Sequence, residues 1–510
     1  MPGNPQVEPP VPQTPGEVLE IQTDRASGVV SVWMSNGVLL HHFALGSRPA
    51  QPPAIDQKPA ADGPSSPAPA VNQYRDGNGN TVIVTISIAG SELLETSENR
   101  GISQAATIAW DRLSVRSMRQ EDLETYLDAS KVRIRGAAAP TAFTLRIEAK
   151  PETLEKGLRV ARLLLTEPKI RPDDLDAWRA RLSGRRSVQH MQGQRLVSET
   201  VFDMMFVKTD VRPRRPSDES IARLTTPQVQ GWLDDMLGVA GDAPDGQPHR
   251  PHAIKQAHPM EVAIVGDIPV AEAVRLGALF LGTLADRPRI SPATFADVRK
   301  AERAPEPLVG TRVVADWSGN AFIVGGFLGA DLKNLSDHRA LAVVARIVQS
   351  RMLEWPADDR GGVGGGGGGD GRSGAGARAV PGSAYPGFGL LIAATEVSPE
   401  RADSVLIKMG ELLDQLRDRG PSSDEVVDAR SKLATSAHEM KSRPEYWSSI
   451  LASTVYHGLS PAALASAESA YAAITLDDVR DAIRMYDTPD RRIRLKIVPG
   501  MKVAPAAGAP

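Results

Sequence analysis

One order of strand and helices occurs twice in this chain and constrains its fold more than any other feature. Residues 143–182 show a strand pattern, a Pro-Glu helix start, an apolar-striped helix, a proline break and a second helix. Residues 390–433 repeat this order about 250 residues later. Because the interval is far longer than a solenoid unit, each copy is expected to be a whole domain. The 510-residue length agrees, since it predicts two to four domains.

Further segments supply sheet elements to the first half. VVSVWMSNGVLLHHF has Asn36-Gly37 between two apolar runs, which is a strong β-hairpin signal. TVIVTISIAG and AFTLRIEAKP alternate as half-buried strands do, and GISQAATIAW and EDLETYLDA between them indicate helices. EVAIVGDI is a β-branched strand that leads directly into another helix. The first half therefore mixes α and β structure, and the second half repeats the plan.

Shifts in composition set the expected domain limits. Proline-rich and Pro/Ala-rich stretches predict mobile segments, and the region 286–310 lacks apolar periodicity and is interpreted as coil. The expected order is a disordered tail at 1–26, a first domain at 27–290 with a mobile Pro/Ala insertion at 47–71, a second domain at 300–498 with a Gly-rich loop at 361–378, and a tail at 499–510.

Charge and cysteine content exclude several classes of function. The 62 acidic and 59 basic residues nearly cancel, so no long-range field would gather nucleic acid or an anionic membrane. The absence of cysteine excludes disulfides, a thiol nucleophile and cysteine-ligated zinc. No apolar run is long enough to span a bilayer. We therefore expect neither a nucleic-acid partner nor a membrane partner.

Clusters of histidine and of basic residues are weak site candidates. His249, His252 and His258 lie in a proline-broken segment without an intervening carboxylate, which favours a solvated loop over a metal site. His41 and His42 are adjacent on a strand and face opposite sides, so that strand cannot direct both to one site. The basic stretch 178–190 lacks interleaved aromatic residues and indicates a solvated helix face.

The stretch GGVGGGGGGDGRSGAGAR at 361–378 is not a phosphate-binding loop. A Walker-type loop needs Lys followed by Ser or Thr directly after its last glycine, and no lysine occurs between Lys333 and Lys408. The run lies between the helix SDHRALAVVARIVQSRML and the strand FGLLIAA. It is therefore expected to be a loop within the second domain rather than a linker.

The order of these elements resembles the insulinase/pitrilysin family of zinc peptidases. The SNGV hairpin, a strand ending in AG, Glu95 through Gly101, two helices and VAIVGDI before a helix carry the resemblance, which covers residues 27–498. PGSAYPGFGL and RGPSSDEVVDARSKL are similar to the carboxy-terminal, inactive half of long bacterial members, and the chain also resembles subunits of the mitochondrial processing peptidase. The resemblance implies an α+β fold with two homologous domains, each a mostly antiparallel sheet covered by helices in a ferredoxin-type α/β sandwich.

The same resemblance implies that the catalytic motif is missing. Active members carry H-x-x-E-H on the first helix, where two histidines bind zinc and the glutamate activates water. Here Gln104 and Ile108 stand at the histidine positions and Thr107 at the glutamate position. An amide, an alkyl group and a hydroxyl cannot replace two imidazoles and a general base. The family's further glutamate ligand is also missing, since residues 179–194 contain none.

The resemblance further implies an arginine and a tyrosine that hold substrate after the helix ending near Arg351. Matched by position, Ala357 replaces the arginine and Gly364 replaces the tyrosine. Arg360 would take the arginine's place only with a shift of three residues. Arg360 and Gly364 are thus the candidate substrate-binding residues. The glycine run either reflects relaxed selection, which we favour, or is a mobile loop that contacts peptide through its backbone.

The expected function is that of a catalytically inactive insulinase-type half. It would bind unfolded peptide or complete the substrate chamber of an active peptidase half, with zinc in that partner and no cofactor in this chain. The alternative is a purely structural subunit like the core proteins of the respiratory cytochrome complex, and an active zinc metalloendopeptidase with another ligand set is less favoured. The given residues carry no export signal, which favours the cytoplasm, and the periplasm applies if they belong to a longer exported product.

Overall fold

A computed structural model describes residues 8–45, 81–187, 193–239, 257–314, 319–360, 376–380, 382 and 384–500. The strands are β1 Val18–Thr23, β2 Val30–Met34, β3 Leu39–Ala44, β4 Val82–Ala89, β5 Arg133–Ala138, β6 Ala142–Ala149, β7 Met260–Gly266, β8 Leu308–Val314, β9 Ala321–Gly329, β10 Gly376–Val380, β11 Gly389–Val397 and β12 Arg492–Pro499.

The helices of the first half are α1 Ile102–Ala106, α2 Ile108–Asp111, α3 Gln120–Ser130, α4 Leu154–Thr166, α5 Pro172–Ser187, α6 Gly193–Met205, α7 Asp218–Arg223, α8 Thr226–Leu237 and α9 Val270–Phe280. Those of the second half are α10 Leu335–Leu353, α11 Ala357–Arg360, α12 Ala402–Arg419, α13 Ser423–Lys441, α14 Pro444–Leu451, α15 Pro461–Ala465, α16 Ala467–Ala472 and α17 Leu476–Tyr486. Short 3-10 helices occupy Ser91–Leu94, Pro151–Thr153, Pro399–Arg401 and Pro489–Arg491.

The strands form two sheets. The first has seven strands in the order β1-β2-β3-β7-β4-β6-β5, and the second has five in the order β10-β11-β9-β12-β8. Most neighbours are antiparallel, and the parallel pairs are β3 with β7 and β8 with β12. Helices pack against both sheets over large apolar cores. The predicted α+β architecture of two helix-covered sheets is therefore confirmed.

The internal repeat is visible in the order of elements. In the first half β6 is followed by a 3-10 turn that begins at Pro151 and then by α4, α5 and α6. In the second half β11 is followed by a turn that begins at Pro399 and then by α12, α13 and α14. Proline suits both starts because the first turn of a helix does not need its amide. By this correspondence β3, β5 and β7 match β8, β10 and β12.

Each half covers one face of the other half's sheet with a helix. From the first half, α6 packs on the second sheet, where Val201 and Met205 join an apolar cluster. From the second half, α14 packs on the first sheet, where Trp447 and Leu451 join a similar cluster. This exchange corrects the expectation that TVIVTISIAG is a half-buried strand. All eight residues of β4 are buried because helices cover both of its faces.

Two further expectations differ from the structure. Residues 1–26 were expected to be a disordered tail, but Val18–Thr23 form β1, because VLEIQT pairs with β2 and extends the first sheet. The Gly-rich loop was expected to reach residue 378, but β10 begins at Gly376. The insertion at 47–71 and the final tail from residue 501 lie outside the described residues. Within the described part, no helix has the length and apolarity required to cross a membrane.

Candidate peptide-binding surface

A buried carboxylate fixes the start of α1, the helix on which the resemblance predicts the zinc-motif positions. The chain enters α1 through Gly101, whose φ of 97° is strained for other residues. Glu95 is buried and accepts hydrogen bonds from the Gly101 and Ser103 amides at 2.8 and 2.9 Å. Arg100 pairs with Glu95 and also donates to the carbonyls of Arg212 and Arg214. Glu95, Arg100, Gly101 and Ser103 therefore have structural partners.

The three motif positions do not fit a zinc ion. Gln104 donates its side-chain amide to Glu92 at 3.1 Å, and Thr107 donates its hydroxyl to the Gln104 carbonyl at 2.8 Å. Ile108 is buried in the apolar core. Burial raises the pKa of Glu92, although Gln104 and Arg100 act in the opposite direction. An engaged amide, an engaged hydroxyl and a core alkyl group provide no imidazole or thiolate donor.

No other group of at least three histidine, aspartate or glutamate side chains in the described part of the chain is placed to hold a metal ion. His258 packs its ring edge against Phe295 and hydrogen bonds the Ala89 carbonyl at 3.1 Å. His249 and His252 lie outside the described residues. His41 and His42 contact different partners, Glu261 and the Ile268 carbonyl, as expected for opposite faces of one strand.

Strand β5 presents an open edge beside α1 and α2. It pairs with β6 and, in the described part of the chain, with no other strand. Ala139 and Ala142 exchange amide-to-carbonyl bonds of 2.9 and 3.3 Å, so this pair starts the hydrogen-bonded positions of the ladder. Antiparallel ladders alternate, so Ile134, Gly136 and Ala138 direct their amides and carbonyls away from β6. These groups form the row that an added strand would use.

Charged groups border this edge on two sides. Arg133 and Arg135 are exposed on the face of β5 that points away from the helices. On the other side, Gly136 lies so close to α2 that a Cβ would stand 3.0 Å from the Cβ of Trp110. The carboxylate of Asp111 accepts the Gly136 amide. The outward amide of Gly136 is thus already hydrogen-bonded to Asp111.

Of the two sequence-predicted substrate residues, Arg360 lies elsewhere, on the short helix α11. Ala357 is its first residue and Arg360 its last, and Arg360 donates to the Leu353 carbonyl at 2.8 Å. The buried carboxylate of Asp359 anchors this helix, because it accepts hydrogen bonds from Lys408 at 3.0 Å and from Arg401. Burial alone would raise the pKa of Asp359, but these two cations lower it. Gly364 lies outside the described residues, and a substrate role for Arg360 and Gly364 stays a prediction.

A partly exposed ion pair fixes the end of α10 before this segment. Arg351 donates to both oxygens of Glu425 at 2.7 and 3.0 Å and lowers the pKa of Glu425 to about 2. A depressed carboxyl pKa adds stability above its unfolded value of about 4.3 and loses it as pH falls toward 2.

The substitution Arg351→Met is therefore expected to reduce the free energy of unfolding by about 1–2 kcal/mol at pH 7 and by about half as much near pH 3, which lies between the folded and unfolded pKa values of Glu425. Urea unfolding at both pH values measures the difference. The control Lys432→Met removes an exposed pair with Asp428 on the same helix, and its effect should stay below about 0.5 kcal/mol. An equal loss for Arg351→Met at both pH values would contradict this account.

No family model matches the chain, and no curated protein matches it in sequence. Solved structures do match it. The periplasmic protease PqqL from Escherichia coli has a TM-score of 0.69 and 14% identity over 98% of this chain and 48% of its own. A protease from Helicobacter pylori has a TM-score of 0.67 and 11% identity over 92% of this chain and 99% of its own.

A third similar structure is the inactive domain of an M16 peptidase from Pseudomonas fluorescens, with a TM-score of 0.65 and 14% identity over 96% of this chain and 100% of its own. This chain spans about half the length of PqqL. The fold is therefore the two-domain fold of M16-type peptidases, which is the insulinase/pitrilysin type that the sequence resembles.

Proposed function

We propose that this chain is a catalytically inactive, M16-type half that binds extended peptide along β5 and completes the chamber of an active half. One observation carries the proposal: the short helices α1 and α2, where the resemblance assigns Gln104, Thr107 and Ile108 to the zinc positions, lie beside an edge of β5 that no described strand pairs with. On this assignment the zinc-binding side chains are missing, and the surface beside them suits an extended backbone. The similarity to an inactive M16 domain supports the same reading.

Peptide binding by strand addition uses groups that this edge already presents. The outward amides of Ile134 and Ala138 and the outward carbonyls of Ile134, Gly136 and Ala138 supply main-chain hydrogen bonds without regard to peptide sequence. Arg133 and Arg135 add positive charge on the exposed face and favour acidic side chains. A peptide held in this way would lie along the first sheet, where zinc from the partner half, and not this chain, would perform hydrolysis.

Proline at an outward position should test this binding mode with little effect on the fold. Ala138→Pro removes one outward amide and leaves the bonds between β5 and β6 intact. Affinity for fluorescently labelled, reduced and carboxymethylated α-lactalbumin, a permanently unfolded chain, should fall about tenfold, as measured by anisotropy. Thr311→Pro on β8 is the matched control and should bind normally. Equal affinity of wild type and a folded Ala138→Pro variant would refute binding at β5.

Asp111 provides an observation in favour of a second function, a purely structural subunit. Its carboxylate already takes the Gly136 amide at the centre of the edge. If peptide binds here, it must displace this contact, and Asp111→Ala should tighten binding about fivefold, since one hydrogen bond contributes about 1 kcal/mol. The same anisotropy assay applies. A structural subunit would show no measurable binding in either form, while keeping its place in an assembly.

A further inference from the structure

Among the strands that the structure describes, none pairs with the outer edge of β8 in the second sheet, although a strand does pair with the corresponding edge in the first sheet. By the internal repeat, β8 corresponds to β3. Each of them pairs in parallel with the last strand of its own half, β8 with β12 and β3 with β7. On its other side β3 pairs with β2 in antiparallel register. In the described part of the chain β8 pairs with β12 alone. The first half thus shows that an antiparallel strand fits this kind of edge.

The backbone of β8 directs three residues to the open side. The Val314 carbonyl accepts the Gly500 amide at 2.8 Å, which places Val314 among the residues that face β12. Alternate residues of a strand bond to alternate sides, so Val309, Thr311 and Val313 direct their amides and carbonyls outward. Their side chains share one face, and Val309 and Val313 are 49% and 63% exposed. Apolar, β-branched side chains therefore line the open edge.

The outer strand of the first sheet, β1, has features that disfavour the addition of a further strand. β1 also exposes apolar side chains, Leu19 and Ile21. Its register shifts between Val18 and Glu20, and the Glu20 carboxylate lies within 4.0 Å of Arg289. Bulges and charges of this kind disfavour the addition of a strand to an edge. β8 pairs in unbroken register from Leu308 to Val314 and carries Arg312 as its one charged residue.

We propose that β8 pairs with β8 of a second copy of this chain, antiparallel about a two-fold axis through Thr311. This register sets Val309 opposite Val313 of the second copy and Thr311 opposite itself. Each of the three outward residues then faces an outward residue of the second copy. The two residues of each pair can therefore exchange amide-to-carbonyl hydrogen bonds in both directions. Valine contacts valine across the junction, and threonine contacts threonine, which are favourable cross-strand pairs.

Side chains on the opposite face of β8 are also compatible with this register. Arg312 would stand opposite Gly310 of the second copy, so like charges do not meet and the arginine has room. A register shifted by two residues would lose one of the three outward pairs. One strand pair makes an interface below about 1,200 Å², so the dimer is expected to be weak, with a dissociation constant in the micromolar range.

Sedimentation velocity of the whole chain from about 1 to 100 µM tests the dimer, since this range brackets a micromolar dissociation constant. Wild type should shift from monomer to dimer. Thr311→Pro removes the central outward amide and keeps the bonds to β12, and Val313→Lys adds a charge to the junction, so both should remain monomeric. Ile21→Lys on β1 is the matched control and should dimerise.

The outcomes separate this inference from the proposed function. Ala138→Pro should dimerise like wild type, because β5 belongs to the other sheet. A wild-type monomer at about 100 µM, a concentration well above a micromolar dissociation constant, would overturn the inference. So would dimers of folded Thr311→Pro and Val313→Lys as strong as those of wild type. Circular dichroism confirms the fold of each variant.

Discussion

The substitution Glu261→Ala is expected to lower the free energy of unfolding by about 3–5 kcal/mol, which is the cost of removing the shared acceptor of a buried hydrogen-bond network. Glu261 lies on β7 of the first sheet and is fully buried. It accepts the amides of Val455 and Tyr456, from the second half, at 2.8 and 3.2 Å. His41 Nε2 lies 3.0 Å from the same carboxylate. Alanine would leave one buried and one half-buried amide without this acceptor at the joint between the halves.

Urea unfolding measures this loss, and Glu261→Gln is the matched control. Glutamine keeps the size of the side chain and one acceptor oxygen, so its loss should be about 1–2 kcal/mol smaller than that of alanine. The alanine variant should also become sensitive to proteolysis in the segment after α14, because this segment loses its anchor. Equal, small losses of less than about 1 kcal/mol for both variants would show that the joint does not depend on this carboxylate.

The second large effect is expected from Trp447→Ala, which should lower the free energy of unfolding by about 3–5 kcal/mol. Trp447 on α14 is 2% exposed, and its ring centroid lies 4.4 Å from that of Phe43 on β3. Its indole donates to the Lys441 carbonyl at 2.9 Å. Truncation leaves a large cavity between α14 and the first sheet, because neither the helix nor the sheet can collapse into it.

Thermal and urea unfolding test this prediction, with two comparison variants. Trp447→Phe should lose less than the alanine variant, because it keeps most of the apolar volume. Met440→Ala, at an exposed position on the preceding helix, should change stability by less than about 0.5 kcal/mol. A Trp447→Ala protein as stable as the Met440 variant would contradict the view that the exchanged helix holds the two halves together.

Local signals predicted the elements that depend on local chemistry. Asn36-Gly37 forms the expected turn, and Gly37 has a φ of 83° that a hairpin turn demands. Pro151 and Pro399 start the expected helical turns in both repeats. The full burial of β4 could not be predicted in this way, because α14, the helix that covers its second face, is distant in sequence. Ser448 on α14 hydrogen bonds Thr85 on β4 across a separation of 363 residues. Only a comparison with the repeat could have suggested that exchange.

The chemistry of the residues at the predicted zinc positions follows from the sequence, whereas the open edge of β5 does not. Side-chain chemistry alone shows that Gln104, Thr107 and Ile108 cannot bind zinc. The open edge of β5 was missed because RIRGAAA has only one large apolar residue, Ile134, although its alternation of Arg133, Ile134 and Arg135 was a usable strand signal. The contact between Asp111 and Gly136 depends on how α2 lies over the sheet, and no sequence pattern indicates it.

Native affinity purification of the chain from its own cells tests the central claim most directly. The account predicts a stoichiometric partner that carries H-x-x-E-H and retains zinc, together with peptide hydrolysis by the complex and none by this chain alone. Zinc and activity should remain with the partner when the two are separated. A chain that is recovered without such a partner, or one that itself binds zinc and cleaves peptide, would contradict the proposal of an inactive supporting half.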